Sequence, residues 1–150
     1  LHPCGIDEGP PDAFCGTHRV FENRAAGTGR TIDLKIVVAP ALRRDASRDP
    51  LFVFEGGPGG GAATLAAQRI PMFRRFQTSR DIVLVDQRGT GASNPLDCQA
   101  ADDDQDDLGS IDDYPVDRFR ECLDRLQADP SQYTTSIAMD DIDDVRRALG

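Results

Sequence analysis

Apolar and polar positions follow two different periods along this chain. From Thr31 to Val38, Thr31, Asp33, Lys35 and Val37 alternate with Ile32, Leu34, Ile36 and Val38, the period of two expected of a half-buried strand. Leu51 to Phe54 and Ile82 to Val85 are continuously apolar, as in strands covered on both faces of a sheet. A shorter strand is expected over His18 to Glu22. Helical spacing appears elsewhere. Ala62, Leu65, Ala66 and Phe73 share a face that Pro71 should end or kink. Val116, Phe119, Leu123 and Leu126 recur between Pro115 and Asp129-Pro130. Ala138, Ile142, Val145 and Leu149 form a third stripe, with acids assigned to its first turn, Arg146 and Arg147 to its last, and Gly150 to the C-cap. Residues 1 to 17, rich in proline, glycine and acid, read as a loop, and Ala41 to Pro50 as a second, charged one.

Both continuously apolar strands run into glycine. Leu51–Phe54 leads through Glu55 into Gly56, Gly57, Pro58, Gly59, Gly60 and Gly61, and Ile82–Val85 ends in Asp86-Gln87-Arg88-Gly89. Without a Cβ, glycine lets backbone N–H groups approach a ligand closely. Such loops at the carboxyl ends of adjacent strands are where open α/β sheets hold ligands. Arg88 is assigned to bracing these loops through carboxylates, because a buried arginine is retained by pairing. A competing reading takes Gly57-x-Gly59-x-x-Ala62 as a dinucleotide-binding turn with Asp86 as the ribose acid. Against it, Pro58 removes one backbone N–H and a long extended stretch precedes Leu51.

Composition narrows the field. The 150 residues carry a net charge of −9 and a pI near 4.6, which argues against a nucleic-acid partner. No apolar run reaches the length of a membrane span. The chain opens on Leu1, so a leader or tag is expected to have been removed. Cys4, Cys15, Cys98 and Cys122 are even in number and contain no C-x-x-C pair, which suggests two disulfides and an oxidising, extracytoplasmic compartment poor in nicotinamide cofactors. Three pairings are open, and buried free thiols are an alternative. His2, Cys4, Cys15 and His18 have the types of a zinc set, but their spacing fits no standard finger. The Asp102-Asp103-Asp104-Gln105-Asp106-Asp107 run reads as a solvated loop, since Asp107 and Asp113 stand where a calcium loop wants glycine and glutamate. No metal and no cofactor is assigned.

The GGPGG segment after a strand, followed one helix later by Asp81-x-Val83-x-Val85-Asp86-Gln87-Arg88-Gly89-Thr90-Gly91-x-Ser93, resembles the prolyl aminopeptidase and tripeptidyl aminopeptidase group of the α/β-hydrolases. Cys15-Gly16 with Val20, the strand Thr31 to Val38, Asn94-Pro95-Leu96 with Cys98, and Asp140 to Arg146 with Ala148-Leu149-Gly150 resemble its secreted branch. The likeness runs nearly end to end. It implies a secreted enzyme that acts on peptide substrates, with disulfides Cys4–Cys15 and Cys98–Cys122. It also implies that the Gly57 backbone N–H serves as an oxyanion donor, supported by Gly56, Pro58, Gly59, Gly60, Asp86, Gln87, Arg88 and Gly89. The chain departs from the family at Glu55, where histidine is frequent.

A larger departure concerns the nucleophile. The family carries a serine in G-x-S-x-G, followed in chain order by an acid and a histidine. None of Ser47, Ser79, Ser93, Ser110, Ser131 and Ser136 lies in that motif. Gly91-Ala92-Ser93-Asn94-Pro95 comes nearest and has proline in the last place, while His2 and His18 lie at the wrong end. The resemblance therefore implies that residues 1–150 are an incomplete N-terminal half of an α/β-hydrolase domain, strands one to four with flanking helices. Residues 1–17 would be a disulfide-stapled loop within it, and a C-terminal half would supply the triad. The implied strand order is 1-2-4-3-5, with Leu51–Phe54 between Ile82–Val85 and a fifth strand beyond Gly150. Left unpaired, that edge invites association with another chain, so this chain alone is expected to be marginally stable and to aggregate or dimerise, and without the triad it is expected to be catalytically inactive. Esterase or amidase action and a non-catalytic relative are the other functions weighed.

Overall fold

The computed structural model describes residues 1–4, 12–45, 47, 49–57, 59–97 and 116–150. The strands are β1 (His2–Pro3), β2 (Phe14–Phe21), β3 (Thr31–Ala39), β4 (Leu51–Val53) and β5 (Ile82–Val85). The helices are α1 (Ala66–Arg69), α2 (Arg74–Gln77), α3 (Val116–Arg125) and α4 (Thr135–Leu149), with 3-10 turns at Ile70–Phe73 and Pro130–Gln132. One mixed sheet runs in the order β1-β2-β3-β5-β4. Among the described residues only β4 and β5 are parallel, and the other pairs are antiparallel. The order from β2 onward agrees with the 1-2-4-3 part of the expected order, and β4 forms the edge of the sheet among the described residues.

The register assigns side chains to two faces, because successive residues of a strand point to opposite sides. Cys15, Val37, Ala39, Val53, Ile82 and Leu84 pack with Ala62, Ala63, Ala66 and Ile70 on one face. Val20, Ile32, Leu34, Ile36, Val83 and Val85 pack with Val145 and the half-buried Ile142 on the other. The α1 segment thus covers one face and α4 the other. β5, central and covered twice, is buried at all four positions. β4 has a neighbour on one side only, so Leu51 and Phe52 are half-buried and Phe54, expected in the strand, lies outside it and is exposed. In β3 the polar side of the alternation survives as far as Lys35 and then gives way to buried Val37 and Ala39. The uncovered part of that side carries Asp33, which pairs with Arg19 on β2 at 2.7 Å.

Several expectations need correction. β2 begins at Phe14 rather than His18, and β1 pairs His2 with Cys15 and Pro3 with Phe14. Residues 1–17 are therefore partly sheet. They are stapled by a Cys4–Cys15 disulfide with a Cα–Cα distance of 5.5 Å, and the Cys4 N–H donates to the Ala13 carbonyl at 2.8 Å. That bond removes the two thiolates that the zinc reading needed. The helix expected from Ala62 starts only at Ala66, and it is interrupted as Pro71 implied, into α1, a 3-10 turn containing Pro71, and α2. α4 starts earlier than expected because Thr134 caps it, its hydroxyl accepting from the Ile137 N–H. The acids therefore lie beyond its first turn, where Asp141 is buried. The apolar positions of α3 do not face the core: Val116, Phe119 and Leu123 are exposed, and Cys122 is the buried residue. Cys98, Pro58 and the acidic run 102–107 lie outside the described residues, so the Cys98–Cys122 pairing does too.

Candidate functional site

Because β4 and β5 are parallel, their carboxyl ends lie side by side and the two glycine loops meet. The Gly91 N–H donates to the Gly59 carbonyl at 3.0 Å and joins them. In the first loop the Gly60 N–H donates to the Gly57 carbonyl at 3.1 Å and closes a turn. Gly57 and Gly59 have φ of +81° and +83°, a region that glycine enters without a steric cost. Both are exposed, and among the described residues their N–H groups have no acceptor. Gly56 is also exposed, and Gly60 is half-buried.

Glu55 and Arg69 stand at the two ends of the segment that holds this turn. The Glu55 carboxylate receives Arg69 Nε on one oxygen and Nη2, at 2.9 Å, on the other. The Arg69 guanidinium holds the Glu55 carboxyl below its ordinary range, with a further contribution from the Gly56 N–H, and the Glu55 carboxylate raises the arginine in return. The stem of Glu55 runs beneath the turn, so that a Cβ on Gly60 would come within 3.1 Å of Glu55 Cγ and 3.0 Å of the Gly56 carbonyl oxygen.

The second loop is organised from inside. Asp86 is fully buried. Its carboxylate accepts from the Thr64 N–H at 3.0 Å, the Thr64 hydroxyl at 2.5 Å and the Ala92 N–H at 2.9 Å. A Cβ on Gly61 or Gly91 would overlap that carboxylate, so both glycines are required by close approach. With its oxygens enclosed in this way, Asp86 offers no acceptor to a ribose, which removes the acid that a dinucleotide site would need. Gln87 is half-buried, and its carbonyl accepts from the Thr90 N–H and hydroxyl at 3.0 and 2.9 Å. Gly89, with φ of +80°, donates to the Ser93 carbonyl at 2.8 Å and lies against Tyr133.

Arg88 is buried and saturated. It makes a bidentate pair with Asp141 at 2.6 and 2.8 Å. Its remaining N–H groups donate to the carbonyls of Glu22, Gln132 and Phe21 at 2.8, 2.9 and 3.3 Å. All five guanidinium donors are therefore used within the protein. Asp141 also receives Arg24 at 2.9 Å. Beside this group, the Tyr133 hydroxyl donates to Glu22 at 2.8 Å and accepts from Asn94 at 2.6 Å. Burial, followed by the Glu22 carboxylate, pushes the tyrosine up to about 12.

The structure thus brings together Gly56, Gly57, Gly59, Gly60, Asp86, Gln87, Arg88 and Gly89 at one end of the sheet. It also adds Thr64, Arg69, Gly91, Glu22, Tyr133 and Asp141, which sequence reasoning did not single out. Ser93, the nearest approach to an elbow serine, is fully buried, and its hydroxyl accepts from the Lys35 N–H at 2.9 Å. His2 and His18 lie on β1 and β2, across the sheet from β4. Among the described residues no three His, Cys, Asp or Glu side chains come together as a metal ion would need. No described helix is long and apolar enough to cross a membrane. Neither a family model nor a curated protein matches the chain.

Proposed function

We propose that this chain carries the oxyanion side of a secreted serine hydrolase of the α/β-hydrolase type, one that releases residues or short peptides from peptide N-termini through an acyl-enzyme. The observation that carries this reading is the Gly57 N–H. It sits at the carboxyl end of a strand, exposed and unpaired among the described residues, in a turn fixed on both flanks. When a nucleophile attacks a carbonyl, negative charge develops on its oxygen, and a pre-oriented backbone donor stabilises that charge without reorganising during the reaction. In this architecture one donor comes from the loop after the third strand and the other from the residue after the nucleophile. Gly57 occupies the first position. No serine of these 150 residues lies in G-x-S-x-G and Ser93 is enclosed, so this reading assigns the nucleophile, acid and histidine to a further part of the protein. The Cys4–Cys15 disulfide supports an oxidising compartment. The same donor would act equally on an ester or a non-peptide amide, so esterase or amidase action is the second reading.

The test uses the gene product continued beyond Gly150, with aminoacyl and tripeptidyl chromogenic amides, simple esters and a fluorophosphonate label. Amide turnover and stoichiometric labelling of a serine outside the present sequence are expected. The 150-residue chain alone should give neither. Hydrolysis of esters only would favour the second reading, and labelling of a serine within residues 1–150 would overturn the assignment.

A further inference from the structure

We propose that the Glu55–Arg69 ion pair positions the Gly57 N–H, so that Glu55 and Arg69 are positioning residues for the acyl-transfer step. This inference rests on the functional reading above. Glu55 leaves β4 immediately before Gly56, and Arg69 is the last residue of α1. Their pairing closes the segment that holds the glycine turn at its two ends. The pairing is a fork, with one guanidinium nitrogen on each carboxylate oxygen, which fixes direction as well as distance. The Glu55 stem also supports the turn from below, with Glu55 Cγ and the Gly56 carbonyl pressed against Gly60.

The far side of the turn is tied differently, by the Gly91 N–H on the Gly59 carbonyl at 3.0 Å. Gly57 lies between these ties: its carbonyl accepts from the Gly60 N–H within the turn, its own N–H makes no hydrogen bond among the described residues, and the direction of that N–H therefore depends on how the turn is held at its flanks. A glycine turn held at one side only would sample many conformations. An oxyanion donor that wanders loses most of its effect, because misplacement by about 1 Å can cost about 100-fold in rate. The fork thus supplies the direction that a loop so rich in glycine does not supply by itself.

The experiment compares Glu55→Gln, Arg69→Met and Arg69→Lys in the continued gene product. Gln and Met keep the volume but break the fork, and kcat should fall by about 10- to 100-fold with KM within about twofold. Arg69→Lys, which keeps the charge and loses the fork, should recover part of that loss. The double variant Glu55→Gln/Arg69→Met should be no slower than either single one, because the two residues act as a unit. Normal kcat in a folded Glu55→Gln protein, or a rise in KM with kcat unchanged, overturns the inference. If the wild type shows no turnover, the functional reading fails, but amide NMR of the same preparations still decides the positioning. Glu55→Gln should then move the Gly57 resonance and lower its order parameter, while Asp33→Asn, which breaks a pair on β2 and β3, should not. An unmoved Gly57 amide is the overturning result.

Discussion

The two glycine loops are held by opposite means. The loop after β5 is fixed from within, where Asp86 and Arg88 are buried with every partner inside the protein. The loop after β4 is fixed near the surface by a partly exposed ion pair, and it presents N–H groups with no acceptor among the described residues. Buried charge tolerates no missing partner, so the first arrangement specifies one conformation at the expense of any free group. The second is weaker, because water screens its ion pair, but it leaves a donor available to a ligand. A binding loop backed by a rigid one combines the two properties, and the Gly91–Gly59 hydrogen bond is where rigidity passes from one loop to the other.

The comparison would break most visibly at Arg88. Arg88→Ala leaves three carbonyls without their donor and strips Asp141 of its bidentate partner, with only Arg24 remaining. Removing one member of a buried pair costs about 3 to 5 kcal/mol, and urea unfolding should show a loss of that order or no folded protein. A variant as stable as the wild type would mean that the second loop is not held by buried charge. On the other loop the corresponding deletion should act on rate. Gly57→Pro, the obvious sequence-level test, is confounded because proline cannot adopt φ of +81°. Replacing the Gly57 amide by an ester, with glycolate in place of glycine, removes the N–H and otherwise only weakens the Gly56 carbonyl as an acceptor, which receives no hydrogen bond among the described residues. In the continued gene product it should raise the barrier by about 3 kcal/mol, read as a fall in kcat with KM little changed. Unchanged kcat would exclude Gly57 as the donor.

A smaller effect is expected at Asp86. In Asp86→Asn one carboxylate oxygen becomes an NH2 group, which must face either the Thr64 N–H or the Ala92 N–H, donor against donor. One buried unsatisfied group costs about 1 to 3 kcal/mol. Loosening should begin where Asp86 joins the loops, so hydrogen exchange at Ala92 and Thr64 should accelerate before that at β5. Protection unchanged at both amides would show that the carboxylate merely fills space.

Much of this was legible in the sequence where one physical effect dominated. The apolar run of β5 and the alternation of β3 as far as Lys35 show directly which faces are covered, whereas the apolar run of β4 overstates the cover of an edge strand. The glycines after each strand mark where the backbone must come close to something. What stayed hidden depends on contacts between distant residues. β2 starts earlier than its sequence suggests, because Gly16, Thr17, His18 and Arg19 show no alternation. That end of the strand has one face uncovered, and its pairing with β3 is what makes it a strand. The start of α4 is hidden because the acids that suggest a first turn lie inside the helix, while its cap, Thr134, precedes the first of them by six residues. Glu55 gives no local sign of its partner, because Arg69 comes within reach only after the chain has turned through the glycines into α1. The apolar spacing of α3 is genuine, but spacing reports amphipathicity and not which surface it meets.

The smallest expected effect separates the two loops most cleanly, because it concerns how each answers to pH and salt. Glu55 has its carboxyl held below the ordinary range by Arg69. A carboxyl depressed in the folded state contributes stability that is fully present above its unfolded value, about 4.3, and that is lost as the pH falls through the folded value. Arg69 stays charged throughout. The difference in Tm between wild type and Glu55→Gln should therefore be constant from about pH 7 to about pH 5 and close at lower pH. It should also shrink when salt is raised at neutral pH, since the pair is partly open to solvent. The destabilisation caused by Arg88→Ala should not respond to salt, because its partners are enclosed. Equal salt sensitivity at the two sites would mean that both loops are held in the same way, and the division of labour between them would have to be given up.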